Sequence, residues 1–149
     1  MGVVQTPRRP SPVTGYRRIL VTVSGDEPHD VGVSLACGLA ADGALLQLVA
    51  VVEVPELLPL DAQMRTEDAA ARRLLEHARQ AAERYAVRVT TEVVHAREPG
   101  RALAQAAQDS HADLLVLDTS PHGRRPLASA IQHVLRAAPC RVVLVQRPS

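Results

Sequence analysis

Five apolar runs alternate along this chain with four amphipathic stretches. Ile19-Leu20-Val21-Thr22-Val23 stays apolar up to Ser24-Gly25, as a strand buried on both faces does. Asp26, followed by Glu27 and Pro28, is placed to cap a first helix. Val31, Leu35 and Leu39 recur every four residues and predict its inner face. Asp42-Gly43 is expected to end that helix, and Ala44 to Val52 reads as a second strand. Pro55 to Asp61 has no period and reads as a loop. Thr66 opens the longest helix, with Glu67 and Asp68 suited to the positive end of its dipole. Its inner stripe is predicted to be Ala71, Leu75, Ala78, Ala82 and Tyr85. Val87, Val89, Thr91 and Val93 alternate with polar residues, the pattern of a strand with one wet face at a sheet edge. Glu98-Pro99-Gly100 starts a third helix with Leu103, Ala106, Ala107 and Ser110 inward. Leu114 to Leu117 is a fourth strand and is followed by a loop to about Pro126. A helix with Ile131, Val134, Leu135 and Ala138 inward and a last strand, Arg141 to Val145, complete the series.

The order β-α-β-α-β-α-β-α-β requires crossover connections, hence a parallel sheet with helices on both faces. The expectation is a single-domain α/β fold with five strands, in the order 3-2-1-4-5 if the chain reverses after the third strand. Strands one and four are then neighbours, and the ligand crevice lies beyond their carboxyl ends. Ser24-Gly25 and Asp118-Thr119 would form its floor. Residues 1–15 hold Pro7, Pro10, Pro12 and Arg8-Arg9 without any apolar period, and read as a flexible tail ahead of a domain at 16–149.

Charge and composition narrow the chemistry. Seventeen basic and sixteen acidic residues leave a formal charge of +1, which gives no electrostatic reason to expect nucleic acid or a membrane surface as partner. With no Phe or Trp, the core must be aliphatic. Every basic residue is Arg, and the absence of Lys excludes a Schiff base, a P-loop lysine and the lysine of a receiver domain. Cys37 and Cys140 follow no metal spacing and read as buried, reduced thiols of a cytoplasmic protein. The six histidines form no i,i+4 pair and read as scattered surface or loop residues, with no metal site; only His122 falls in the crevice loop. No nucleophile elbow is present, and the hydroxyls of Ser24 and Ser129 have no evident base. No catalytic residue is assigned.

Arg18-Ile19-Leu20-Val21-Thr22-Val23-Ser24-Gly25-Asp26-Glu27 resembles the opening strand and turn of the universal stress protein family, which normally ends in Asp-Gly-Ser. Ala112-Asp113-Leu114-Leu115-Val116-Leu117 is similar to that family's fourth strand. Val134-Leu135-Arg136-Ala137-Ala138-Pro139-Cys140-Arg141-Val142-Val143-Leu144-Val145 is close to its last helix and strand. The resemblance spans residues 17 to 147. It implies the same five-stranded fold, a homodimer, and a bacterial stress-response role in place of a defined reaction.

The family's ATP-binding branch carries Gly-x-x-Gly, nine residues, then Gly-Ser or Gly-Thr after the fourth strand. Such glycines let backbone N–H groups reach phosphates. Here those positions hold Asp118, Pro121 and Ala128-Ser129, and only residues 122–127 separate the two halves. Asp118 sets a negative charge where an anion would sit, and Pro121 has no N–H to donate. Ser24 replaces the acid that holds the nucleoside. What remains as a degenerate candidate crevice is Ser24, Gly25, Val51, Asp118, Gly123 and Ser129, with Arg124-Arg125 nearby. The expected function is a regulatory or interaction module of the stress response that needs no cofactor. The alternative is an adenine-nucleotide protein, holding ATP or AMP, with slow or no ATPase activity. The apolar run Val142-Val143-Leu144-Val145, at the end of the sheet, is expected to pair two copies.

Overall fold

The computed structural model describes residues 15–25, 27–118 and 128–146, apart from the side chains of residues 128 and 129. Residues 1–14 of the expected tail, Asp26 and the Pro121–Gly123 region lie outside the described residues. Nine elements follow in the expected order: β1 (Tyr16–Thr22), α1 (Val31–Leu39), β2 (Ala40–Glu53), α2 (Arg65–Ala82), β3 (Val87–Ala96), α3 (Pro99–Asp109), β4 (Leu114–Asp118), α4 (Ala128–Ala137) and β5 (Arg141–Val145). The sheet runs β3-β2-β1-β4-β5 with every pairing parallel, as the alternation of elements requires.

Two apolar layers explain why the strands are uniformly hydrophobic. Ile19 and Val21 of β1 point to one face, where they join Leu46, Leu48, Leu114 and Val116 beneath α1 and α2. Leu20 between them points to the other face, among Val49, Leu115, Leu103, Ala107 and Val134 beneath α3 and α4. Successive side chains of a strand alternate sides, so a strand covered on both faces has no polar position to spare.

The inner faces of the helices depart from the sequence reading. In α1 the buried residues are Gly32, Val33, Ala36 and Cys37, while Leu35 is exposed. A Cβ added at Gly32 would make ordinary contact, 3.7 Å, with both Val21 and Val116, and three of the four inward residues are small. It starts at Val31, next to Asp30, so residues 27–30 are not its first turn. The stripe of α2 gains Leu74 and Ala81, whereas Tyr85 lies beyond the helix end and is exposed. Leu135 of α4 is also exposed.

The second strand begins at Ala40, directly after α1, and not at Ala44. Asp42-Gly43 makes a bulge inside it: Tyr16 pairs with Ala40, but Arg18 pairs with Leu45. Gly43 carries φ +78 at that point, a conformation that costs glycine little. Burial pushes the Cys37 thiol up to about 11 and also raises that of Cys140, with a smaller contribution from Asp113. Both cysteines are free and are poor nucleophiles at neutral pH.

Candidate functional site

A cleft of about 470 Å³ opens where the strand order reverses, at the carboxyl ends of β1, β2 and β4. Its size is that of a small-molecule site. Thr22 to Gly25 and Asp118 form its floor, Ala50 to Glu53 one wall, and the first turns of α2 (Thr66, Glu67, Ala70) and α3 (Pro99) its rim. Ala130 and Ile131 of α4 close the opposite side. Four of the expected residues, Ser24, Gly25, Val51 and Asp118, are thus brought together. Gly123, with Arg124-Arg125, lies outside the described residues, as does the side chain of Ser129; the backbone of Ser129 is in the first turn of α4.

Asp118 is the last residue of β4 and pairs with Val145 of β5, so its backbone is held as strand. Its N–H donates to Thr22 Oγ1 at 2.9 Å, tying the ends of β4 and β1. The side chain is buried, and Oδ2 accepts from Ser24 Oγ at 3.3 Å and lies 3.0 Å from His29 Nε2. The same Nε2 is 3.0 Å from the Ser24 carbonyl oxygen. A carbonyl only accepts, so Nε2 carries the ring proton. Nδ1 of His29 is buried with no hydrogen-bond partner among the described residues.

Sequence reading placed His29 among scattered surface or loop residues. It does lie in the loop between β1 and α1, but its side chain is only 12% exposed and turned to the cleft floor. The turn at Gly25, with φ +108, folds the chain back so that the ring stands over Ser24 and Gly25. Three residues of serine-protease type meet here, but not in a nucleophilic order. The Ser24 hydroxyl donates to the carboxylate, and the imidazole meets the Ser24 carbonyl oxygen instead of its hydroxyl, so the ring is not placed as a base for Oγ. The cluster latches the β1 turn to the end of β4.

The wall is held in a similar way. His95 Nε2 of β3 lies 2.7 Å from Asp68 Oδ1 in the first turn of α2. The Arg97 guanidinium donates to the carbonyls of Pro55 and Leu58 at 2.8 Å each, fixing the loop beside the cleft. Among the described residues that line the cleft, the charged ones are Glu53, Glu67 and Asp118. No group of three or more metal-ligating side chains occurs among the described residues. No described helix is long and apolar enough to cross a membrane.

In doubly wound α/β domains the crevice at the switch point is where ligands bind. The sequence matches the Universal stress protein family over residues 15–146, and the chain belongs to that family. A universal stress protein family structure from Burkholderia pseudomallei is similar, with 28% identity and a TM-score of 0.64, over 87% of this chain and 96% of that one. A family protein from Arabidopsis thaliana with AMP bound has 18% identity and a TM-score of 0.63, covering 89% and 93%. The Archaeoglobus fulgidus universal stress protein in complex with dAMP has 16% identity and a TM-score of 0.65, covering 87% and 97%. The last two likenesses are of fold. Comparison with the curated proteins finds no significant match.

Proposed function

We propose that this universal stress protein is a cytoplasmic regulatory and interaction module that acts as a homodimer and does not hold ATP in the usual way of its fold. The observation that carries the reading is the Asp118 carboxylate. It lies buried in the cleft floor, at the position where the ATP-binding pattern has its first loop glycine. A buried acid there opposes a phosphate through charge, and its strand geometry leaves no glycine turn for backbone donors. Millimolar ATP with Mg²⁺ is expected to shift the melting temperature little. A ligand present at ~100 times its dissociation constant would add about 2.7 kcal/mol to stability. A saturable rise of that size would overturn the reading in favour of an adenine-nucleotide protein, which the cleft volume and the AMP and dAMP complexes of related folds support.

The dimer is proposed to form through β5, the end strand of the sheet. Edge strands offer a row of backbone donors and acceptors to another chain. Leu144 is 46% exposed there, and Val142 and Val143 are half-buried. The opposite edge, β3, is studded with exposed Arg88, Thr90 and Glu92. A two-fold axis beside β5 would bury Leu144 against its copy. Val143→Arg and Leu144→Arg should therefore weaken assembly in light scattering, while Arg88→Ala and Glu92→Ala leave it intact. A wild-type monomer at micromolar concentration would refute this pairing.

A further inference from the structure

We propose that the loop between β2 and α2 is a docking surface for a partner segment with apolar anchors flanked by basic residues. The inference rests on the reading above of an interaction module, and gives that module the surface it would use. Leu57 is 97% exposed, and Leu58 and Leu60 are exposed beside it. Apolar residues scattered singly over a surface need no explanation, whereas a contiguous group marks a site of interaction. The leucines are not exposed for want of order. Val54 and Met64, on either side of them, are buried. Between these anchors the Leu58 N–H donates to the Pro55 carbonyl and the Ala62 N–H to the Pro59 carbonyl, each at 3.0 Å. Two successive turns are thereby closed. The Arg97 guanidinium, just beyond β3, clasps the same loop through the carbonyls of Pro55 and Leu58. A surface already held in one shape loses little freedom when a partner settles on it.

Charge selects the occupant. Glu56 and Asp61 bracket the leucines and are both exposed. Neither takes part in an ion pair among the described residues. Of the neighbouring bases, Arg97 is committed to the loop carbonyls, and Arg65 Nε donates to Gln63 Oε1 at 3.2 Å. A second copy of the chain would set these carboxylates against their like, and an anionic membrane would be opposed by them. A segment with apolar anchors and basic flanks satisfies the leucines and the acids together. The formal charge of the whole chain is +1, so a preference for such a segment would be local in origin and not a general attraction.

Two labelled helical peptides, one of leucine and lysine and one of leucine and glutamate, test the surface by fluorescence anisotropy. The lysine peptide is expected to bind about ten-fold or more tightly than the glutamate peptide, with the gap narrowing as salt is raised. Leu57→Ser combined with Leu60→Ser should weaken the lysine peptide about ten-fold or more. Thermal unfolding of that double variant should match the parent, because both positions are exposed. Glu56→Lys combined with Asp61→Lys should reverse the preference. Equal affinities, no binding of either peptide, or binding indifferent to the two leucine substitutions would each overturn the proposal. Binding to phosphatidylglycerol vesicles that the leucine substitutions abolish would overturn it in favour of a membrane. Loss of self-association in the leucine variant, seen by light scattering, would overturn it in favour of a second copy. ATP in a parallel titration separates this failure from that of the reading above. Failed peptide binding without a response to ATP strikes only this surface. Tight ATP binding beside an intact preference for the lysine peptide overturns the reading against ATP and leaves this surface standing.

Discussion

Leu46→Ala should destabilise the protein by about 3–5 kcal/mol, the upper part of the range for a fully buried leucine. Leu46 is 0% exposed and sits in β2, between Ile19 of β1 and Val89 of β3. Its side chain lies in the cluster beneath α1 and α2. That cluster contains no Phe or Trp, so its volume is supplied by many aliphatic groups of similar size. Strand backbones on both sides fix the positions of the neighbours, and the space left by three lost carbons cannot readily collapse. The control is another leucine of the same chain. Leu57 is 97% exposed, and Leu57→Ala should change stability by no more than about 0.5 kcal/mol. Urea unfolding of both variants, read at unchanged slope, makes the comparison. Similar midpoints for the two would mean that the two-layer packing is wrong.

The strands were legible because burial on both faces leaves an unbroken apolar run, which Ile19 to Val23 and Leu114 to Leu117 display. Parallel pairing then followed from the crossovers, and the order 3-2-1-4-5 from taking the chain to reverse its winding after the third strand. Helix faces were less legible where small residues do the packing. In α1 the four-residue spacing of Val31, Leu35 and Leu39 suggested one face, yet Gly32, Ala36 and Cys37 are buried. Small residues carry little hydrophobic signal, and which of them a helix turns toward its sheet is a tertiary property. Ser24, Gly25, Val51 and Asp118 could be placed at one crevice because strand ends in a parallel sheet share an edge. His29 could not. It lies in the polar stretch between Ser24 and α1, and reaches Asp118, distant in sequence, only through the fold. The one local hint was Gly25, a residue suited to a positive φ after a strand.

Gly100→Ala should lower stability by about 1–3 kcal/mol, as overpacking of a filled contact does. Helix propensity alone predicts the opposite sign, because alanine is favoured over glycine within a helix by about 1 kcal/mol. Gly100 is buried in the first turn of α3, next to Pro99. A Cβ there would lie 2.7 Å from the Ala130 carbonyl oxygen, 2.9 Å from Ala130 Cα and 3.1 Å from His133 Cβ. The two closest atoms are backbone, so no side chain can swing away, and α4 itself must move. The consequence reaches further than stability. Ile131, one residue after the contact, lines the cleft, and α4 leads directly into β5. A displaced α4 should therefore change ligand binding and loosen the proposed dimer edge together. Gly100→Val, with a larger branched side chain, should be worse on each count. At roughly 2–4 °C of melting temperature per kcal/mol for a chain of this size, thermal unfolding resolves the effect easily. A Gly100→Ala variant as stable as the parent, or more so, would mean that α3 and α4 do not approach this closely, and that propensity governs the position.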